Sequence, residues 1–320
     1  MKVLSLHDVD PGGGPRSVAI GTFDGVHLGH REVIRGSDTV LTFDPHPISV
    51  IHPEATPKLL NTFPVKRDLI AGLGVDELVT IPFDRGFSQQ SAEEFVQDVL
   101  IRRLGARRVS VGENFRFGKG AKGTADFLRS YDEFETNVTP LVEVAGETVS
   151  STQIRGLVAA GEVKEATEFL GAPFLFEGEV VEGDKRGRTL GMPTANLVPD
   201  DAYVHPGHGV YAAMANLIPS PAGDESARTR PSRALAAGHE PRASGLPAAV
   251  NVGVRPTFDT GRGLVVEAHL IDFEGDLYGQ TLRIAFVERM RGEKRFETVD
   301  ELVEQMNRDV EQAAATVSGR

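Results

Sequence analysis

The chain has 320 residues, which at ~150 residues per domain favours two domains. Its 34 basic and 46 acidic side chains give a net charge of −12, so the molecule repels long polyanions, although a local basic patch can still hold a small phosphate ligand. The absence of cysteine excludes a disulfide framework, a thiolate nucleophile and a cysteine-based zinc site, and 40% hydrophobic residues argue against global disorder.

The first half of the chain alternates strand patterns with helix patterns. Apolar runs bounded by turn residues predict buried strands over Ser17 to Gly21, Thr39 to Phe43, Val75 to Ile81 and Arg107 to Val111. Helices are predicted over Val65 to Leu73, from a capping box at Ser91 to Glu94 onwards, over Ser151 to Val158, and over Val163 to Leu170. Such alternation favours a parallel sheet with crossover helices.

The pattern changes near Pro173. Short β-rich runs follow, separated by glycine and proline: FLFEGEVVEG, HGVYAAMANL, AAVNVGV, LVVEAHLIDF and QTLRIAFV. They favour an antiparallel barrel or sandwich. The segment from Pro219 to Pro247 is predicted to be a long loop between two strands.

The last predicted element is a helix. A capping box at Thr298 to Glu301 precedes Leu302, Val303, Met306 and Val310, which share one helical face. The predicted organisation is an α/β domain over residues 1–172 and a β-barrel domain with a C-terminal helix over residues 173–320.

The segment GTFDGVHLGH, from Gly21 to His30, holds the most informative motif. A glycine-rich turn follows a strand, and two histidines three residues apart begin a helix. His27 and His30 can therefore face one ligand, and the helix N-terminus adds affinity for anions. This arrangement suits a polyphosphate whose charge shifts during reaction, whereas two histidines without function at a helix start remain the alternative.

Two further segments carry candidate binding residues. In VSSTQIR, three hydroxyl side chains precede a helix whose first turn carries Arg155 on the face of Ser151 and Thr152, which suits phosphate oxygens but also an ordinary helix cap. The loop GENFRFGKG, from Gly112 to Gly120, is not a Walker A loop. It predicts either an aromatic pocket for a planar ring or a buried phenylalanine pair.

In this order, GTFDGVHLGH, TFDPHP, GENFRFG and SSTQIR resemble the N-terminal module of prokaryotic bifunctional riboflavin kinase/FAD synthetases, which is similar to the HxGH nucleotidyltransferases. The motifs GMPTAN, GVY, NVGVRPT, VEAHLID and RGEKRF resemble the riboflavin kinase module. The resemblance covers nearly the whole chain. It implies a Rossmann-like α/β HxGH nucleotidyltransferase domain followed by an antiparallel β-barrel riboflavin kinase domain with a C-terminal helix.

The resemblance implies that the second domain phosphorylates riboflavin from ATP with Mg²⁺. Glu267 is then the candidate base for the ribityl hydroxyl, and Thr194 and Asn196 hold Mg²⁺ and phosphate. Gly191, Pro193 and Arg291 fall in motifs of the same module and are expected to bind nucleotide or substrate. Lys185, Arg186 and Arg188 are expected either to screen the charge of ATP or to form a solvated hairpin tip.

The resemblance further implies that the first domain transfers AMP from ATP to FMN, giving FAD and pyrophosphate. His27 and His30 are expected to steady the α-phosphate. The leaving pyrophosphate is assigned to Ser151, Thr152 and Arg155, the adenosine site to Gly21 and Phe23, and a contact with flavin or nucleotide to Asn114. No protein nucleophile is needed.

Two departures from the family pattern stand out. The expected phenylalanine of GMPTAN is Met192, which can fill the same apolar space. The segment between His30 and Thr39 is short for a parallel crossover, which usually needs at least ~10–12 residues with its helix. The resemblance implies about a dozen more residues here. We expect either a truncated helix here or residues absent from this sequence.

Alternatives from other classes remain at this point. They are a single-activity riboflavin kinase with an impaired adenylyltransferase half, a flavin- or nucleotide-binding regulatory protein, and a flavin-using oxidoreductase, which is disfavoured because the glycine-rich start at Gly21 lacks G-x-G-x-x-G.

The expected partners are small molecules: riboflavin, FMN, FAD and ATP. We expect no partnership with nucleic acid, because the net charge is −12, or with membranes, because no run of ~18 apolar residues is present. Met1 to Pro15 lacks the basic start and apolar stretch of a signal peptide, so the expected location is cytoplasmic. The sequence sets no oligomeric state.

Overall fold

The computed structural model describes residues 1–183, 191–218, 245–255 and 263–319. By their internal contacts these form two compact units, one of Met1–Lys58 and Phe63–Ser151, the other of Leu59–Thr62 and Thr152–Arg320. The expected basic residues Lys185, Arg186 and Arg188, and most of the expected loop from Pro219 to Pro247, lie outside the described residues.

The first unit is built on a six-stranded parallel sheet. Its strands are β1 (Lys2–Ser5), β2 (Arg16–Ile20), β3 (Thr39–Asp44), β4 (Glu77–Pro82), β5 (Ala106–Gly112) and β6 (Glu135–Thr139). They lie in the order β1-β4-β3-β2-β5-β6, and every neighbouring pair is parallel. The chain therefore runs outward from β2 in both directions, so the sheet reverses its winding between β2 and β5.

Helices connect these strands. They are α1 (Leu28–Ile34), α2 (Pro47–Ile51), α3 (Phe63–Ala71), α4 (Ala92–Glu94), which continues as π-helical turns over Phe95–Arg103, and α5 (Ala125–Arg129). Alternate strand residues enter two apolar clusters, as Val18 and Ile20 enter one and Ala19 the other. Both faces of the sheet are therefore covered, as in doubly wound α/β folds.

The first connection is short. Helix α1 has seven residues, within the expected span of residues 28–36. Strands β2 and β3 pair over three positions, from Val18 opposite Thr39 to Ile20 opposite Leu41. Because the paired stretch is so short, a seven-residue helix and the turn before it are enough to return the chain to the sheet. The helix of this sequence is therefore short, as the first of the two expectations has it.

The second unit is a closed antiparallel barrel. Its strands are β9 (Phe174–Val181), β10 (Ala195–Leu197), β11 (Gly209–Ile218), β12 (Leu246–Arg255), β13 (Gly263–Leu270) and β14 (Thr281–Arg291), closed in the order β10-β13-β12-β11-β14-β9. A small hairpin, β7 (Glu143–Val144) with β8 (Glu147–Thr148), precedes it in the chain. Tyr211, Phe174 and Phe286 are the largest side chains buried in the barrel unit.

Three helices belong to this part of the chain: α6 (Ser151–Ala160), α7 (Val163–Leu170) and α8 (Val299–Ser318). Helix α8 begins at the expected cap, where the Thr298 hydroxyl accepts a hydrogen bond from the Glu301 N–H. Its Ala313 and Val317 pack against Ala212 and Ala249 of the barrel. The predicted fold class, a Rossmann-like α/β domain followed by an antiparallel barrel with a C-terminal helix, is confirmed.

Candidate active sites

The turn after β2 lies where α/β sheets bind their ligands. The segment GTFDGVHLGH follows the carboxyl end of β2, and GENFRFG follows the carboxyl end of the adjacent β5. These two strand ends flank the point where the winding reverses, and open α/β sheets bind ligands in the crevice at such a point. Topology therefore brings together two motifs that are about 90 residues apart in sequence.

The turn has an unusual backbone. Phe23 and Val26 have φ angles of 49° and 43°, a left-handed conformation that is rare outside glycine. Gly21 is required by close packing, because a Cβ at this position would lie 2.9 Å from Cε1 of the Phe23 ring. Residues held in such strained conformations concentrate at functional sites, where the surrounding structure fixes them.

His27 and His30 meet directly. His27 caps α1, its Nδ1 accepting a hydrogen bond from the backbone N–H of His30 at 3.3 Å. The two rings stack with centroids 3.5 Å apart, and Phe23 contacts His30 edge-on with centroids 5.4 Å apart. The sequence placed both imidazoles on one ligand face, and the structure holds them in contact at the helix N-terminus.

Burial lowers the pKa of His30 well below its ordinary value, and the neighbouring His27 and Lys66 lower it further. His30 is therefore neutral near pH 7 and acts as a hydrogen-bonding group rather than a cation. Within the described part of the chain, no group hydrogen-bonds its buried Nδ1.

Lys66 is a member of this cluster that the sequence reasoning missed. It is buried on α3, and its Nζ donates a hydrogen bond to the Thr22 carbonyl at 3.2 Å. In the sequence it is one polar residue within a predicted helix. The only pattern that could have pointed to it is its position directly after Val65, on the helix face that enters the core.

The residues of SSTQIR divide between two sets of contacts. Ser151 begins α6, and its hydroxyl donates to the Asp24 carbonyl of the glycine-rich turn at 2.9 Å. The Arg155 guanidinium donates to the Thr152 hydroxyl at 3.4 Å. Ser151 therefore lies at the turn that carries the histidines.

In the GENFRFG loop, Asn114 is exposed, while Phe115 and Phe117 stack with centroids 5.5 Å apart. Phe117 is buried in the core of the first unit, and Phe115 packs against it. Of the two interpretations of this loop, the buried phenylalanine pair is the one that the packing supports.

In the barrel, Glu267 lies between two asparagines. It is directly opposite Asn196 of β10 on one side and Asn251 of β12 on the other. Since Val266 and Ala268 are fully buried and side chains alternate along a strand, Glu267 points away from the barrel interior. Opposite residues of an antiparallel pair have Cβ atoms about 5 Å apart, so one carboxylate and two carboxamides share this outer face.

The GMPTAN segment is fixed next to this row. The Asn196 carboxamide donates to the Thr194 carbonyl at 3.4 Å, and the Pro193 carbonyl lies 2.9 Å from Nδ1 of His269, two residues after Glu267. Met192 is buried, so it does fill an apolar space. Gly191 has a φ of 79°, a conformation that favours glycine.

Gly183 provides space for Asn196. A Cβ on Gly183 would lie 2.4 Å from the Asn196 Nδ2, a distance so short that the carboxamide would have to move. This glycine was not singled out from the sequence, because its requirement arises from a residue 13 positions later.

Arg291, expected to bind nucleotide or substrate, pairs with an acidic side chain of the last helix. Its Nε and Nη2 donate to both carboxylate oxygens of Asp309 on α8, with N–O distances of 2.6 to 3.2 Å, and its Nη1 donates to the Gly292 carbonyl at 3.0 Å. Asp309 is 5% exposed and also accepts from Gln305 at 2.9 Å. The contacts of Arg291 join the last strand to the last helix.

The donor groups near Glu267 suit a hard cation. Thr194 and Asn196 offer hydroxyl and carboxamide oxygens, which are ligands that Mg²⁺ takes together with water and phosphate oxygens. Among the described residues, no group of three or more histidine, aspartate or glutamate side chains is placed to hold a metal ion. None of the helices described is long and apolar enough to cross a membrane.

Two family models match this chain, one in each half. The family model for FAD synthetase matches residues 13–153, and the model for riboflavin kinase matches residues 170–317. Three curated proteins, each called a bifunctional riboflavin kinase/FMN adenylyltransferase, align over almost the full chain. The protein of Escherichia coli K12 is 34% identical over 91% of this chain and 90% of its own length. Those of Listeria monocytogenes and Bacillus subtilis are 33% and 31% identical, over 93% and 92% of this chain and 91% and 90% of their own lengths.

A solved structure shares the whole architecture. A protein of Streptococcus pneumoniae, described as a macrolide-efflux protein, superposes with a TM-score of 0.80 at 30% identity, covering 98% of this chain and 99% of its own. Its description differs from the names of the sequence relatives, while its fold is the same over the full length.

Proposed function

Because the chain belongs to the family of bifunctional riboflavin kinase/FMN adenylyltransferases, we propose that it makes FAD from riboflavin in two ATP-dependent steps. The kinase reaction is assigned to residues 173–320 and adenylyl transfer to residues 1–172. The observation that carries the proposal is that each unit holds its own cluster of residues suited to phosphate chemistry. One is the histidine turn at the carboxyl end of β2, and the other is the Asn196–Glu267–Asn251 row on the barrel.

In the kinase reaction, the ribityl hydroxyl oxygen of riboflavin bonds to the γ-phosphorus of ATP, and the bond between that phosphorus and ADP breaks. Glu267 takes the hydroxyl proton. Its position on a rigid strand is suitable for a general base, since a base must be held within hydrogen-bond distance of the proton it removes. Asn196 and Asn251 flank Glu267 on the two neighbouring strands.

Thr194 and Asn196 are the residues that would hold Mg²⁺, with Gly191 and Pro193 shaping the backbone beside them. The chemistry of the ion when bound is neutralisation of phosphate charge. His269 supports the same segment through the Pro193 carbonyl. For Arg291, the contact with Asp309 supports a role in fixing the segment that leads from β14 to α8.

In adenylyl transfer, a phosphate oxygen of FMN bonds to the α-phosphorus of ATP, and pyrophosphate leaves. His27 and His30 hydrogen-bond the α-phosphate. Because its pKa is lowered, His30 does so as a neutral imidazole. Gly21 and Phe23 border the adenosine, Asn114 contacts flavin or nucleotide, and Ser151, Thr152 and Arg155 hold the pyrophosphate. Positioning supplies most of the catalysis in such transfers.

The partners that follow are riboflavin, FMN, FAD and ATP. A net charge of −12 supports the absence of a nucleic-acid partner. Because ATP is a substrate of both steps, we propose a cytoplasmic location.

Two variants test the division of labour. Glu267→Gln is expected to lower the rate of FMN formation from riboflavin by about 10²–10⁴-fold while leaving FAD formation from supplied FMN unchanged. His27→Ala is expected to do the reverse. Glu179→Gln, an exposed glutamate on β9, is the matched control and should retain both rates. If Glu267→Gln keeps its kinase rate, or if either variant lowers both rates equally, the proposal is wrong.

A further inference from the structure

Lys66 is a buried cation that neither proposed step uses. It lies on α3 and is 9% exposed. Two core residues, Val65 and Ile70, lie on the same helix. Moving an ammonium group out of water is unfavourable unless other groups compensate for the lost hydration. The groups around the ammonium group must therefore compensate for its lost hydration.

The hydrogen bond of Lys66 ends on the histidine turn. Its Nζ donates to the Thr22 carbonyl at 3.2 Å, and the hydroxyl of the fully buried Thr42 donates to the same oxygen at 3.2 Å. Thr22 lies between Gly21 and Phe23, the residues whose close packing shapes the turn. One carbonyl of this turn is thus fixed from α3 and from β3 at once.

Charges at the ends of two strands act on the same group. Burial lowers the pKa of Lys66, while the carboxylates of Asp24, in the turn after β2, and Asp44, at the end of β3, raise it. The positive charge in turn reaches His30 and lowers its pKa, together with burial and His27. The ammonium group is therefore coupled to the histidine turn both by a hydrogen bond and by its field.

We propose that Lys66 is a positioning residue for adenylyl transfer, which holds the Gly21–His27 turn through the Thr22 carbonyl and supplies positive charge beside His30. This inference rests on the proposed function of the first unit. The lysine acts on the reacting phosphates through the turn and through His30, whereas a lysine that served only to stabilise the fold would leave the kcat of a folded variant unchanged.

The test compares Lys66→Met, which keeps length but removes charge and hydrogen bond, with Lys66→Arg, which keeps the charge. Lys2→Met, an exposed lysine on β1, is the control. For FAD formation from FMN and ATP, Lys66→Met is expected to lower kcat by about 10–100-fold, as a small displacement of a reacting group does, with a much smaller change in KM. Riboflavin kinase activity of the same preparation should be unchanged.

The pH profile separates positioning from structural support. Without the positive charge of Lys66, the pKa of His30 rises, so the acidic limb of FAD formation moves to higher pH in Lys66→Met and stays in place in Lys66→Arg. Wild-type kcat with an unshifted limb in Lys66→Met overturns the inference. If Lys66→Met does not fold, a shifted limb in Lys66→Arg overturns it instead. Failure of the wild type itself to form FAD refutes the proposed function, which keeps the two failures distinct.

Discussion

The contact between Arg291 and Asp309 gives a quantitative prediction, because it joins the barrel to its C-terminal helix. The change is Asp309→Asn, which keeps the shape of the side chain and removes its charge. The Arg291 guanidinium then faces a neutral amide, and both Arg291 and Gln305 lose a charged acceptor.

The magnitude follows from the burial of the pair. The side chain of Asp309 is 6% exposed and that of Arg291 is 23% exposed, with a shortest N–O distance of 2.6 Å. Breaking a buried ion pair by removing one partner costs about 3–5 kcal/mol. Because the arginine is partly hydrated and the asparagine still accepts one hydrogen bond, we expect a loss of about 2–3 kcal/mol, or roughly 4–12 °C in Tm for a unit of this size.

Urea unfolding followed by tyrosine fluorescence measures this loss. The chain has no tryptophan, and three of its four tyrosines, Tyr203, Tyr211 and Tyr278, lie in the barrel unit. Arg291→Gln should show a similar loss, and the double variant should show a coupling of about 1–3 kcal/mol.

The control is Glu304→Gln, because the pair of Glu304 with Arg308 on the same helix is exposed and should contribute under about 1 kcal/mol. A coupling near zero, or an Arg291→Gln variant without any loss of stability, would refute the structural role.

Three further outcomes are expected. Gly183→Ala should displace the Asn196 carboxamide, because the new Cβ would lie 2.4 Å from its Nδ2, and should lower kinase kcat/KM about 10-fold or more. Gly263→Ala is the control, because open space surrounds that position. Equal effects of the two variants in a steady-state assay would contradict this prediction. The pKa of His30 is lower in the folded chain than in the unfolded chain, so the unfolded chain takes up the proton first as the pH falls below about 6.5. The free energy of unfolding should therefore decline below that pH. His30→Asn should flatten this decline in urea melts. Burial raises the pKa of Tyr211 to about 12, so Tyr211→Phe should remove the most alkaline step of an absorbance titration of the phenols.

Apolar periodicity and turn residues predicted most of the fold. Helix α7 has the bounds expected from its flanking glycines, and the cap at Thr298 begins α8 as predicted. Strand β6, with the sequence ETNVT, was missed because it is polar and half-exposed, and it becomes a strand by pairing with β5. Strand β10 has three residues, too short for any periodicity to show.

The candidate sites were predictable where a motif is continuous in sequence. His27 and His30 could be found because their spacing alone puts them on one helix start. Asn251, Lys66 and Gly183 could not, because their importance arises from partners on other elements: a strand register, a carbonyl on a turn, and a side chain that needs space.

The short connection after His30 shows how a length argument depends on register. Full-length strands would have left a short helix unable to return the chain, since a five-residue strand is ~17 Å long and nine helical residues span roughly 13 Å. Pairing of β2 and β3 over three positions removes that difficulty.

The central claim is that one chain carries both activities, and a chromatographic time course with riboflavin, ATP and Mg²⁺ tests it most directly. Flavin fluorescence is a suitable readout, because FAD fluoresces less than FMN. The account predicts that FMN appears first and FAD follows. FMN that accumulates without FAD would contradict the assignment of the first unit, and no conversion of riboflavin would contradict both.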